Sequence, residues 1–144
     1  MATVLIVEDE FAIADLLEMA LTDEGYRVLL AANGRQGLER LAEHPRPDLV
    51  ISDFMMPVLD GVGLIQAMRE SEAQRDIPCI LMSSMPEANV RERIDGYAAF
   101  VRKPFHLAAL VQLVAAVLDA ASGREARRDP ARQLKPPTPS NGGP

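Results

Sequence analysis

The sequence predicts an α/β domain, a doubly wound five-stranded parallel sheet flanked by five helices. Two observations carry that prediction. Short apolar runs alternate along the chain with segments whose apolar residues recur at helical spacing, as βα units on a parallel sheet require. The first run, Val4–Val7, is also continuously apolar rather than alternating with polar residues, the mark of a strand covered on both faces. Strands joined in this way wind right-handedly.

Val4–Val7 is the first such run. Ile13, Leu16, Leu17, Ala20 and Leu21 then follow the helical period, and Gly25 closes the helix. Tyr26–Ala31 reads as the second strand. Asn33-Gly34 opens a short helix that turns Leu38 and Leu41 inward. Leu49–Ser52 is the third strand, followed by the turn-rich Pro57–Gly61, in which Asp60 is placed to cap a helix through Leu64, Ile65 and Met68. Pro78–Met82 and Ala98–Val101 are the fourth and fifth strands. Between them, Pro86–Asp95 offers only Val90 and Ile94 as apolar anchors, so a short, weakly held helix is expected. The strongest helix runs from about His106 to Ala121, with Leu107, Leu110, Val111, Val114, Val117 and Leu118 on one face.

After Ala121 the composition shifts to Arg, Pro, Gly and Ser, too poor in apolar residues to order itself. The expected organisation is one domain over residues 1–121 and a disordered Pro/Arg-rich tail over 122–144. Charge divides the same way: the net charge of −6 is −9 over 1–121 and +3 over 122–144. An acidic body gives no reason to expect direct contact with nucleic acid. The longest apolar helical stretch, Leu107–Leu118, is too short for a bilayer, and Thr3–Val7 ahead of Glu8, Asp9 and Glu10 is no signal peptide. A cytoplasmic protein is expected. The single cysteine, Cys79, lies in an apolar run and reads as an inert buried thiol.

Doubly wound sheets carry their chemistry at the carboxyl ends of the strands. Here those ends offer Glu8, Asp9 and Glu10 after the first strand, Asp53 after the third, Ser83 and Ser84 after the fourth, and Lys103 after the fifth. Carboxylates gathered at one edge repel unless a cation neutralises them. Oxygen ligands without nearby His or Cys select Mg²⁺ or Mn²⁺. Lys103 is one of two lysines against thirteen arginines, which suggests that a compact ammonium is needed there rather than a rigid fork. A hydroxyl, an ammonium and a divalent cation around one carboxylate suit a phosphoryl group on that carboxylate.

The stretches Val7–Glu10, Pro47–Pro57 and Val101–Phe105 resemble the receiver domain of two-component response regulators, and the resemblance covers about residues 3–121. It implies the flavodoxin-like receiver fold, a signalling domain rather than an enzyme, and Mg²⁺ as the metal. It implies Asp53 as phosphoryl acceptor from a sensor histidine kinase or phosphotransfer protein, and Glu8, Asp9, Asp53 and the backbone carbonyl of Met55 as metal ligands. Lys103 and Ser83 would bind phosphoryl oxygens, and the Phe100 ring would follow Ser83 as the switch. The Lys103–Pro104 bond is expected to be cis. Signalling to a downstream protein target would use the face of the fourth helix, fifth strand and fifth helix. A homodimer through the fourth and fifth elements is compatible with the sequence.

Two departures from the pattern stand out. The residues two beyond the acceptor and two beyond the hydroxyl, which tune phosphoryl lifetime, are Met55 and Met85. Thioethers hold an in-line water poorly, so slow self-dephosphorylation is expected. Ser83 and Lys103 are separated by nineteen residues, about two fewer than the pattern, which shortens the fourth helix. Two other functions compete with a stand-alone phosphorylated switch. One is a haloacid-dehalogenase-like phosphatase, disfavoured because Met55 stands where its acid/base aspartate would be. The other is a receiver-shaped adaptor that needs no phosphorylation, disfavoured by the intact set of Glu8, Asp9, Asp53, Ser83 and Lys103.

Overall fold

The computed structural model describes residues 1–43 and 46–128. Five strands and five helices alternate along them: β1 (Thr3–Val7), α1 (Phe11–Asp23), β2 (Arg27–Ala31), α2 (Gly34–Leu41), β3 (Leu49–Asp53), α3 (Gly61–Arg69), β4 (Cys79–Ser83), α4 (Glu87–Arg91), β5 (Ala99–Arg102) and α5 (Leu107–Arg128). The strands form one parallel sheet in the order β2-β1-β3-β4-β5, the doubly wound arrangement expected. The order reverses at β1, so the crevice between the β1 and β3 ends is the topological switch point.

Side-chain alternation along the strands divides the core in two. Leu5, Val7, Val50 and Leu81 pack under α2, α3 and α4 with Leu64, Ile65, Met68 and Val90. Val4, Ile6, Leu49, Ile51, Ile80 and Met82 pack on the other face against Leu17 and Leu21 of α1 and Leu110, Val114 and Val117 of α5. β1, β3 and β4 are buried along their whole length, which is why Val4–Val7, Leu49–Ile51 and Cys79–Met82 are apolar without a break.

Local rules set the helix ends. Gly25 has φ +92°, its N–H donates to the Thr22 carbonyl, and the Tyr26 N–H donates to Leu21, a Schellman closure of α1. Asn33 caps α2 by accepting from the Gln36 N–H at 3.0 Å, and Asp60 caps α3 by accepting from Gly63 at 2.9 Å. Glu10 occupies the N-cap of α1, but its side chain makes no capping bond.

Several element ends and one helix face depart from the sequence reading; β2, β4 and β5 each start one residue later than expected, and β5 ends at Arg102. β3 and β4 each extend one residue further, so Asp53 and Ser83 are the last residues of their strands rather than the first of the loops. Leu16 fits the helical period of α1, yet it is 47% exposed, because the buried stripe is centred on Ala14, Leu17 and Leu21. Finally, α5 continues past Ala121 to Arg128. Helix propagation is local, Ala, Arg and Glu favour it, and the first proline to stop it is Pro130. The tail expected at 122–144 therefore starts as helix, and 129–144 lie outside the described residues. Among the described residues no helix is long and apolar enough to cross a membrane.

Candidate functional site

Sheet register gathers the predicted residues at one edge. Val7 pairs with Ser52, Asp53 with Met82 and Ser83 with Arg102, so the chain leaves β1, β3, β4 and β5 at nearly the same height. Glu8 follows β1 directly, and its N–H extends the ladder to the Ala31 carbonyl at 3.0 Å. Its side chain is fully buried. Oε1 accepts from Lys103 Nζ at 2.8 Å, and Oε2 accepts from the Glu10 N–H at 3.0 Å. Asp53 closes β3, with Oδ1 accepting from the Phe54 N–H at 3.0 Å and Oδ2 lying 3.3 Å from Lys103 Nζ. Asp9 sits exposed on the rim, and one carboxylate oxygen from each of Glu8, Asp9 and Asp53 lies within 4.8 Å of the others.

The Lys103 backbone is held at the same edge, its N–H donating to the Ser83 carbonyl at 2.8 Å; the peptide bond to Pro104 is cis. The Ser83 hydroxyl is buried at the end of β4 and accepts from the Met85 N–H at 3.0 Å. Phe100 is partly buried, its ring tilted against Tyr97 at 6.3 Å between centroids. Met85 packs partly buried against the same core, whereas Met55 is 62% exposed beside the acids.

Electrostatics indicate what kind of ligand the pocket suits. Burial raises the carboxyls of both Glu8 and Asp53 above their ordinary range, and the Lys103 ammonium only partly pulls them back. For Lys103, burial pushes down, but the hydrogen bond to Glu8 and the Asp53 charge outweigh it and raise the ammonium. One ammonium against three carboxylates leaves two negative charges uncompensated. An all-oxygen donor set with a charge deficit of two fits a hard divalent cation. Glu8, Asp9 and Asp53 are the side chains that could hold it.

The turn after β3 shapes the outer wall. Val58 has φ +70° and is 74% exposed, and the Leu59 N–H donates to the Pro57 carbonyl at 2.8 Å, closing a γ-turn around a β-branched residue. At Gly61 a Cβ would come within 2.6 Å of the Asp53 carbonyl oxygen, so only glycine lets α3 begin so close to the acid.

Sequence reasoning placed Glu8, Asp9, Asp53, Ser83 and Lys103 at one edge, and the structure puts them there. It did not foresee the direct Lys103–Glu8 contact, which is shorter than Lys103–Asp53. It also missed the Arg93 guanidinium, 5.3 Å from the Phe54 ring centroid, because nothing in local spacing links those two positions.

A doubly wound sheet with an acidic, lysine-bearing pocket at the carboxyl end of its central strands defines a flavodoxin-like receiver fold. The family model described as "Response regulator receiver domain" matches residues 4–115. The chain is 32% identical over 122 residues to the "DNA-binding dual master transcriptional regulator RpaA" of Synechocystis, covering 82% of this chain and 49% of that protein. It is 39% identical over 119 residues to a "Probable transcriptional regulator ycf27" of Guillardia theta, covering 80% and 44%. It thus spans about half the length of the curated relatives it matches.

Among solved structures it resembles the CheY-like receiver domain protein of Methanospirillum hungatei, with TM-score 0.77 and 25% identity, covering 86% of this chain and 98% of that one. It also resembles the receiver domain of the sensor histidine kinase PA1611 of Pseudomonas aeruginosa, whose structure is described "with magnesium ion coordinated in the active site cleft". There the TM-score is 0.74, the identity 32%, and the coverage 82% and 98%. The chain belongs to the response regulator receiver domain family of two-component signalling, a family of signalling domains rather than classical enzymes.

Proposed function

We propose that Asp53 accepts a phosphoryl group from the phosphohistidine of a sensor histidine kinase or phosphotransfer protein, in a Mg²⁺-dependent reaction. One observation carries this reading: carboxylate oxygens of Glu8, Asp9 and Asp53 lie within 4.8 Å of one another, with Lys103 Nζ 3.3 Å from Asp53 Oδ2. An Asp53 carboxylate oxygen forms the new bond to phosphorus as the donor's P–N bond breaks, and the imidazole leaves with that bond's electron pair. Lys103 supplies fixed positive charge to the transferring phosphoryl group, and the Ser83 hydroxyl, whose oxygen accepts from the Met85 N–H, has its own proton to donate to one of the phosphoryl oxygens. Glu8, Asp9, Asp53 and the backbone carbonyl of Met55 would hold Mg²⁺ (Mn²⁺ is an equivalent fit), which when bound screens the phosphoryl and carboxylate charges.

In this reading residues 1–121 are the receiver unit, and Phe100 changes position with Ser83. The signal leaves through α4, β5 and α5 to a downstream protein, in the cytoplasm where a kinase's phosphodonor domain works. The acidic body is not itself a nucleic-acid contact. The matched relatives extend well beyond the part they share with this chain. The test is incubation of the full chain with Mg²⁺ and acetyl phosphate, followed by mass measurement. The wild type should gain one phosphoryl group, and Asp53→Asn should gain none. Equal labelling of both proteins rejects the assignment, and turnover of phosphate esters would favour a phosphatase instead.

A further inference from the structure

Residues 87–98, from α4 to the start of β5, have just two buried apolar anchors, Val90 and Ile94. Polar contacts do the rest of the holding. The Glu87 carboxylate accepts from the Tyr97 hydroxyl at 2.8 Å and from Arg91 at 2.9 Å, which ties the segment to itself. Arg69 reaches from α3 to donate to the Asp95 carbonyl, with the Asp95 carboxylate 3.8 Å away. Arg93 differs from both, because it lands on the residue that follows the acid closing β3. Its guanidinium covers the Phe54 ring at 5.3 Å, and Nη2 lies 3.5 Å from Asp60 Oδ2, the carboxylate that caps α3.

Phe54 is the residue after Asp53, and its ring is essentially unexposed. Its N–H is shared between the Met82 carbonyl at 2.8 Å and Asp53 Oδ1 at 3.0 Å, while its carbonyl accepts from the Gly61 N–H at 3.0 Å. The donor that orients the Asp53 carboxylate is therefore the backbone of a residue whose ring Arg93 clamps. Its carbonyl, in turn, is bonded to the helix start that Asp60 caps. A change of charge or bonding at Asp53 Oδ1 alters the load on the Phe54 N–H. A shift of the Phe54 backbone carries the ring that Arg93 covers. Guanidinium-ring contacts and exposed ion pairs are individually modest, so they bias such a shift without locking it.

We infer that Arg93 is a positioning residue that clamps Phe54 and Asp60 and so couples the Asp53 carboxylate to the α4–β5 segment. This rests on Asp53 being the phosphoryl acceptor. The coupling is reciprocal, so what stabilises one arrangement of the segment also stabilises one state of the site.

The experiment compares backbone hydrogen exchange across residues 84–98 in the full chain, with and without Mg²⁺ and acetyl phosphate, with the phosphoryl adduct quantified in each sample by intact mass. Wild type, Arg93→Met, Arg93→Lys and Asp60→Asn are compared, with Arg40→Gln as the control, since Arg40 pairs with Glu43 at the surface. Methionine keeps much of the packing on the ring but no charge. Lysine restores charge, and Asp60→Asn keeps an oxygen for the cap while weakening the pair from its other end.

The expected result is an adduct in every protein. The adduct-dependent exchange change should be several-fold smaller in Arg93→Met and Asp60→Asn, recovered in part by Arg93→Lys, and intact in Arg40→Gln. A merely structural role would raise exchange equally with and without adduct and leave the difference untouched, which overturns the inference. An adduct on the wild type with no exchange change across 84–98 overturns it as well. Absence of adduct on the wild type instead defeats the assignment of Asp53. If Arg93→Met does not fold, Asp60→Asn and Arg93→Lys decide between the same outcomes.

Discussion

The Lys103 ammonium lies 2.8 Å from Glu8 Oε1 but 3.3 Å from Asp53 Oδ2, so the lysine leans on the fully buried acid rather than on the one at the end of β3. That geometry makes Glu8 a charge holder for the pocket. Without the lysine its carboxylate would be an unpaired buried charge, and with the lysine it keeps the ammonium in line with Asp53. Glu8→Gln should lower Mg²⁺ affinity by roughly tenfold or more, as expected when a group that orients or charges a metal site is lost. Titration calorimetry with MgCl₂ would read it, and an unchanged affinity would remove Glu8 from the site.

The raised carboxyls of Glu8 and Asp53 give that metal dependence a pH sign. Burial lifts both above their unfolded values despite Lys103. Their contribution to stability is therefore complete below the ordinary carboxylate range and is lost as pH rises through the raised values, because the unfolded chain then binds fewer protons than the fold. A divalent cation offsets the charge that deprotonation creates. Added MgCl₂ should raise the melting temperature more at about pH 7.5 than at about pH 5. A larger gain at the lower pH would contradict the burial argument.

Met55 and Met85 bracket the pocket with thioethers, one exposed and one partly buried. Neither side chain holds a water well for in-line attack on an acyl phosphate. The double variant Met55→Asn with Met85→Glu should shorten the phosphoryl half-life several-fold, followed as loss of adduct mass after the donor is removed. An unchanged half-life would mean that the lifetime is set elsewhere.

Val58 carries φ +70° at the centre of the γ-turn although it is β-branched and exposed. Left-handed backbone costs a β-branched residue roughly 1–2 kcal/mol, and asparagine tolerates it better without the entropy of glycine. Val58→Asn should therefore stabilise the fold by roughly 0.5–1 kcal/mol in urea unfolding. A less stable variant would show that the valine is held by something other than its backbone.

Cys79 is fully buried, and burial pushes its thiol up from 9.0 to about 12, only weakly opposed by the Arg69 charge. The unfolded chain loses that proton near the ordinary value while the fold keeps it. Stability from this group is thus whole below about pH 9 and falls as pH climbs towards 12. A shift of this size corresponds to at most about 4 kcal/mol. Cys79→Ala should lose some stability at neutral pH through the smaller side chain, and less than the wild type between about pH 9 and 11. Parallel pH profiles for the two proteins would exclude the thiol as the cause.

Some of this was legible locally and some was not. Val4–Val7 read as a strand buried on both faces because no polar residue interrupts it. Asp60 read as a cap because its place before Gly61 admits little else. Leu16 misled because a helical period defines a stripe without saying which flank meets the sheet, and α1 settles on Ala14, Leu17 and Leu21. The end of α5 lies beyond the change in composition at Ala121 because composition alone does not stop a helix, and no proline intervenes before Pro130. Val58 carried no local warning of its positive φ.

The order of residues alone determined the alternation of strands and helices, and it placed acids, hydroxyl and lysine each at the end of a strand. Periodicity and capping act within a few positions, so they survive without a three-dimensional frame. Only the packed sheet decided that Lys103 would lean on Glu8, that Asp53 would close β3 rather than open a loop, and that Arg93 would reach across to Phe54. Those are contacts between positions far apart in the chain, set by strand order and register and by burial, and no short-range pattern encodes them.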